Sequence, residues 1–323
     1  MKKIKVLFMG SGLFALEVFK VLENDENIEV QAVFTQPDKP VGRKKLFCAT
    51  IVGKYAEDAN FPLYKAEKSV EILKVFDTNF DETDKPDYIV VADYGVILSE
   101  KVLNLPKKLC LNVHGSLLPK YRGASPVHAV ILANDLETGV CIITMEKGLD
   151  TGPVWGEKRI KLDVNETYES LLMQLGSLGG ELVASLLPKI DLNKEFKPQV
   201  QNESKASFAP KIKKEDGFVD LSSVTATEFW SKYRAYSTWP KIYIEIQNLK
   251  FVLTKVEIFN EVIESPVAMD ILNKTKLFFY KKKLILKIAD KFFLIDKFKP
   301  ESKSEMDPYS FSLGHPEFFQ TID

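Results

Sequence analysis

The chain has 323 residues, 45% of them hydrophobic and 28% charged, and a net charge of −1. That is the composition of a soluble globular chain of about two domains, with ample apolar residue for a core. It excludes nucleic-acid binding through bulk positive charge. No apolar run approaches the ~20 residues of a membrane span, and the three cysteines (Cys48, Cys110, Cys141) lack the pair spacing of a metal or redox site.

The first ten residues pass from a charged stretch to a short apolar one and run straight into a strand–turn–helix pattern. Without a small-residue cleavage site they predict a first strand, not a leader, in a reduced, cytoplasmic setting. β-Branched apolar runs at 4–9, 28–34, 88–92, 109–114 and 139–145 alternate with helical patterns at 13–22, 50–59, 70–76 and 125–132. That alternation predicts an α/β domain on a parallel sheet covered on both faces. Ligands of such sheets bind outside the carboxyl ends of the strands. A longer helical pattern over 166–187 contains Gly176, Gly179 and Gly180, each costing about 1 kcal/mol relative to alanine inside a helix. The pattern leaves open whether they serve close packing or a kink. Residues 188–210 are polar and read as a connection. Beyond them a helix at 225–236 precedes short strand-like runs at 242–246, 250–259, 276–279, 284–288 and 292–295, the pattern of a small β-barrel. The expected division is a domain over 1–188, a linker over 189–207 and a β-rich domain over 208–323.

Charge is unevenly spread. Residues 211–299 hold 17 basic and 11 acidic side chains, and 38–54 hold Lys39, Arg43, Lys44, Lys45 and Lys54 against Asp38 alone. Solvated surface and an anionic partner explain such clusters equally well.

Gly10-Ser11-Gly12-Leu13-Phe14-Ala15 follows a strand and opens a helix, as a dinucleotide fingerprint does. An NAD-dependent oxidoreductase is therefore a competing reading. The second strand, however, ends Val33-Phe34-Thr35-Gln36, without the acid that holds a ribose. The glycines equally serve a tight strand-to-helix turn.

Leu109-Cys110-Leu111-Asn112-Val113-His114-Gly115 reads as a strand running into a turn. Strand side chains alternate, so Asn112 and His114 share a face at its carboxyl end. Asp150 lies in a glycine-bracketed loop, Lys147-Gly148-Leu149-Asp150-Thr151-Gly152, after the next strand. Acyl transfer to an amine needs a donor for the oxyanion and a route for the amine proton. An Asn N–H suits the first and His the second near neutral pH. A carboxylate can orient the imidazole, stabilise its charged form, or accept a proton through water. No serine or cysteine nucleophile is required, and Cys110 reads as core. A turn asparagine and a structural histidine are the competing readings of the same residues.

The wider segment, Asn112-Val113-His114-Gly115-Ser116-Leu117-Leu118-Pro119-Lys120-Tyr121-Arg122-Gly123-Ala124-Ser125-Pro126, resembles the signature of the 10-formyltetrahydrofolate-dependent formyltransferases. Glu137-Thr138-Gly139-Val140 and Met145-Glu146-Lys147-Gly148-Leu149-Asp150-Thr151-Gly152 continue it in order. The resemblance implies that Asn112, His114 and Asp150 are catalytic and that Ser116, Leu117, Leu118 and Pro119 lie against the folate. It implies no metal. It also implies a Rossmann-like domain followed by an OB-like β-barrel. Members that formylate glycinamide ribonucleotide or a sugar nucleotide, and members that hydrolyse formyltetrahydrofolate, share the first half.

Three features resemble the members whose acceptor is initiator methionyl-tRNA, formylated for translation initiation. One is the stretch Val33-Phe34-Thr35-Gln36-Pro37-Asp38-Lys39-Pro40 with Gly42-Arg43-Lys44-Lys45, which implies that Arg43, Lys44 and Lys45 contact tRNA. Another is Arg234-Ala235-Tyr236-Ser237-Thr238-Trp239-Pro240, and the third is the β-rich C-terminal domain itself. A monomer without membrane association is expected, and a purely RNA-binding role would leave the trio without purpose. Three departures bear on acceptor identity: Gly12 in the first turn, Asp93 in Ala92-Asp93-Tyr94-Gly95, and Val127-His128-Ala129 after Pro126.

Overall fold

Continuous apolar runs form strands covered on both faces. β1 (Ile4–Gly10) and β6 (Tyr88–Ala92) are almost wholly buried, as is the second half of β2 (Ile28–Thr35). In the computed structural model the described residues are 2–42, 45–261, 263 and 275–322. They divide into two compact units. The first comprises Met1–Val130, Asp135–Asp163 and Ser170–Pro210, the second Ile131–Asn134, Val164–Glu169 and Lys211–Asp323.

The first unit continues with α1 (Leu13–Glu23), a short hairpin of β3 (Lys39–Val41) and β4 (Leu46–Cys48), α2 (Ile51–Asp58), β5 (Leu63–Lys65) and α3 (Ser69–Asn79). After β6 come α4 (Glu100–Leu103), β7 (Leu109–His114), β8 (Arg122–Gly123), α5 (Pro126–Ala133), β9 (Glu137–Thr144) and β10 (Val154–Lys161). Its main sheet has seven strands in the order β10-β9-β7-β6-β1-β2-β5. Five run parallel: the predicted β1, β2, β6 and β7, and β5, which lies outside the predicted runs; the predicted strand over 139–145 is β9, which runs antiparallel to β7, and β10 is antiparallel to β9. Strand order reverses between β1 and β6.

The long helix α6 (Tyr168–Leu192) settles the question of its glycines. A Cβ on Gly176 would lie 2.8 Å from the Phe14 carbonyl oxygen, one on Gly180 2.7 Å from Val21 Cβ, and one on Gly179 2.5 Å from Val113 Cγ1. The glycines therefore serve close packing: α1 against Gly176 and Gly180, β7 against Gly179. α6 passes through Pro188, where the sequence predicts its end. Loss of one N–H is offset because Leu186 and Leu187 are buried and Asp191 pairs with Lys108. Among the described residues this is the one helix long and apolar enough to cross a membrane; ten of its residues are buried, seven of them apart from glycine.

The expected linker over 189–207 has a different character. Val154 and Gln199 exchange backbone hydrogen bonds of 2.7 Å. β11 (Phe208–Ala209) then pairs in parallel with β8. The segment is polar because it spends its hydrogen bonds on the first unit, not because it is free.

In the second unit, α7 (Ala226–Ala235) starts at Thr225, whose side chain and that of Glu228 form a capping box. β12 (Ile242–Ile246), β13 (Leu249–Ile258), β14 (Leu277–Tyr280), β15 (Lys283–Ile288), β16 (Lys291–Pro300), α8 (Pro308–Gly314) and β17 (Gln320–Ile322) follow. The expected barrel strands form a six-stranded sheet in the order β12-β13-β16-β15-β14-β17. Arg234 of the resemblance motif is buried, donating to Asn134 Oδ1 (3.0 Å) and to the Glu166 carbonyl (3.2 Å). It anchors this unit.

Candidate active site

β7 delivers Asn112 and His114 to one face, as strand alternation requires. Val113 between them points the other way, against Gly179. Asn112 is half-buried and His114 buried. Asp150 arrives by a route the sequence does not show. β9 is antiparallel to β7, with His114 opposite Cys141 and Leu111 opposite Thr144. The carboxyl end of β9 therefore lies away from that of β7. Asp150 reaches His114 because the loop from Met145 folds back before β10 begins.

His114 Nδ1 and Asp150 Oδ2 are 3.6 Å apart, too far for a hydrogen bond but close for two charges. The other ring nitrogen, Nε2, lies 3.2 Å from the Tyr121 carbonyl oxygen, which only accepts, so Nε2 donates. The neutral ring then presents its lone pair at Nδ1. Burial holds the His114 pKa below the usual imidazole value, opposed by the Asp150 charge and the Tyr121 hydrogen bond. Asp150 is fixed in turn: Gly123 N–H donates to its Oδ2 at 2.8 Å, and its backbone takes the left-handed conformation at φ 53°.

Asn112 and Asp150 line a cavity of about 340 Å³, together with Val96, Ile97, Leu98 and Leu103 on its apolar side. That lies within the ~300–1,000 Å³ of small-molecule sites and has their mixture of apolar wall and few polar groups. Ser116, Leu117, Leu118 and Pro119 are not among its lining residues. Ser116 is buried and donates to the Lys120 carbonyl (2.7 Å), and Leu118 packs with Cys141, Ile143 and Val154. Leu117 and Pro119 stay half-buried.

Burial pushes the Cys110 thiol up and that of Cys141 up to about 12. Neither is a nucleophile near neutrality. Among the described residues no group of three or more His, Cys, Asp or Glu is placed to hold a metal ion. Of the basic trio, Arg43 and Lys44 lie outside the described residues. Lys45 is exposed at the tip of the β3–β4 hairpin, beside exposed Leu46 and Phe47.

The glycine turn has a specific occupant. Gly12 caps α1, and a Cβ on it would lie 1.9 Å from Asp93 Oδ2. Asp93 follows β6, whose Ala92 pairs with Gly10. Asp93 keeps exposed surface, and desolvation by the surrounding protein pushes its carboxyl up to about 6. At neutral pH it is an anion where a dinucleotide's pyrophosphate would meet the helix N-terminus, which argues against the oxidoreductase reading. Gly12 and Asp93 are thus matched in size. Gly12→Ala is expected to destabilise the fold by about 1 kcal/mol, and the loss should vanish in an Asp93→Ala background, the mark of coupled neighbours. Urea unfolding of the two single variants and the double variant measures it, and additive losses would refute the match.

Residues 2–187 match the family described as Formyl transferase, and residues 211–316 match the Formyl transferase C-terminal domain. A methionyl-tRNA formyltransferase of Sulfurimonas denitrificans is 36% identical over 319 residues, covering 96% of this chain and 97% of that protein. One from Idiomarina loihiensis is 40% identical over 250 residues, 76% of each chain. Among solved structures, HypX from Aquifex aeolicus in complex with tetrahydrofolic acid shares the fold at a TM-score of 0.65 and 15% identity. That match covers 99% of this chain, which spans about half (49%) of HypX.

Proposed function

This chain belongs to the formyl transferase family, and on that premise we propose that it transfers the formyl group of 10-formyltetrahydrofolate to the α-amine of initiator methionyl-tRNA, with Asn112, His114 and Asp150 as catalytic residues. The observation that supports it best is that the Asn112 amide and the Asp150 carboxylate line one apolar-walled cavity, with the His114 imidazole 3.6 Å from that carboxylate. The full-length relatives that formylate methionyl-tRNA support the acceptor.

When bound, the folate supplies the formyl carbon and leaves as its N10 amine. The Asn112 N–H donates to the formyl oxygen as negative charge builds there, a role in which a fixed donor outperforms water. Nδ1 of His114 takes the proton of the attacking amine, since Nε2–H is committed to Tyr121. The resulting imidazolium lies between the Tyr121 carbonyl and the Asp150 carboxylate. Asp150 thus acts on His114 as a charge and not through a hydrogen bond. The amine–carbon bond forms, the carbon–N10 bond breaks, and His114 returns its proton to N10. Ser116, Leu117, Leu118 and Pro119 form the turn beside the folate, with half-buried Leu117 and Pro119 retaining surface to touch it. Arg43, Lys44 and Lys45 grip tRNA phosphates. The chain works as a monomer in the cytoplasm, without membrane association.

The test is formyl transfer by purified protein with 10-formyltetrahydrofolate and methionyl-tRNA. Formylmethionyl-tRNA is the expected product, with KM for tRNA rising steeply with salt as phosphate contacts are lost. Transfer to an amino-sugar nucleotide, or release of free formate in its place, would overturn the acceptor.

A further inference from the structure

We propose that Gln201, clamped by Arg122, is a positioning residue that holds the Asp150 loop, and with it the carboxylate, against His114. The inference rests on the assignment of Asp150 above.

Gln201 lies in the polar segment that the sequence reads as linker, yet its side chain is buried and every hydrogen-bonding position of its amide is used. Nε2 donates to the Asp150 carbonyl at 2.7 Å and to the Gly152 carbonyl at 2.8 Å. Oε1 accepts from Arg122 Nε at 3.1 Å and Nη2 at 2.8 Å. Arg122, itself buried, is held from the far side by both carboxylate oxygens of Glu203, at 2.9 and 2.7 Å. The amide orientation follows from these partners, since two carbonyls need donors and a guanidinium needs an acceptor.

Asp150 needs such support. It is not glycine, yet its backbone sits in the left-handed region at φ 53°, a conformation that persists only where neighbours over-determine it. Gln201 fixes that backbone from one side. On the other, Gly123 N–H, one residue after Arg122, fixes the carboxylate at 2.8 Å. Arg122 and Gly123 form β8, which pairs with Phe208 and Ala209. One braced strip, 199–209 with β8, thus sets both ends of Asp150. An unbraced loop would let the carboxylate drift from His114, and a displacement of about 1 Å at a reacting group can cost on the order of 10²-fold in rate.

Gln201→Glu tests the idea, because it keeps size and the Arg122 pairing but removes both donors to the loop. Its kcat is expected to fall about 10- to 100-fold with KM for methionyl-tRNA unchanged. The acid limb of its pH–rate profile should move to lower pH as His114 loses the nearby charge. In an Asp150→Asn background the same substitution should cost nothing more. Gln201→Asn, an amide one methylene short, should show the same pattern with a smaller loss, and covers the case in which the glutamate variant does not fold. Wild-type kcat and pH profile in Gln201→Glu beside an impaired Asp150→Asn would overturn the positioning role and leave the site assignment standing. Equal losses with and without the Asp150 carboxylate would overturn it too. Full activity in Asp150→Asn would remove the site assignment itself.

Discussion

Asn112→Ala protein is expected to fold normally and to lose about 10²–10³ in kcat, with KM for methionyl-tRNA little changed. Asn112 is half-buried at the end of β7 and lines the cavity without bracing the strand, whose hydrogen bonds are backbone ones. Removing its amide therefore takes away a donor and little packing. The loss falls on kcat because charge on the formyl oxygen develops only in the transition state; a donor engaged equally in ground and transition states would show in KM instead. Single-turnover formylation with saturating folate separates the two. A variant that keeps wild-type kcat would remove Asn112 from the chemistry.

Much of this architecture is legible in the sequence because burial on two faces writes itself as apolar runs. β6 and β7 appear at their observed bounds, and Thr225 and Glu228 mark the start of α7. β10 escapes that reading for a physical reason. It is an edge strand whose charged Glu157, Lys158 and Arg159 keep the edge soluble, so it carries little of the apolar signal. The site divides along the same line. The side chains proposed to do the chemistry, Asn112, His114 and Asp150, are picked out by type, spacing and the motif around them. What positions them is largely backbone: the Tyr121 carbonyl on His114 and the Gly123 N–H on Asp150. Backbone groups are the same at every position, so no residue type announces them. Gln201 is hidden differently. In a run of Lys, Asn, Glu and Gln a buried amide looks like a solvated one, and only its four hydrogen bonds set it apart.

Asp150→Asn is expected to lower kcat by about 10²–10⁴, the range of a lost acid–base contribution, and to shift the pH dependence in a direction that identifies the cause. Two influences oppose each other at His114. Burial lowers its pKa, and the Asp150 charge raises it. With His114 as the proposed base, working as neutral imidazole, activity is expected to fall as pH drops through its pKa, which burial holds below the ordinary value. Removing the Asp150 charge deletes the raising influence. The acid limb should therefore move to still lower pH while the plateau falls, because the imidazolium formed during proton transfer has lost its counter-charge. A residue that only packed the loop would lower the plateau and leave the limb in place. Desolvation pushes the Asp93 carboxyl up to about 6, so the comparison is made in Asp93→Asn protein, where the shift should persist. An acid limb that stays fixed, or moves to higher pH, would mean that Asp150 does not act through His114.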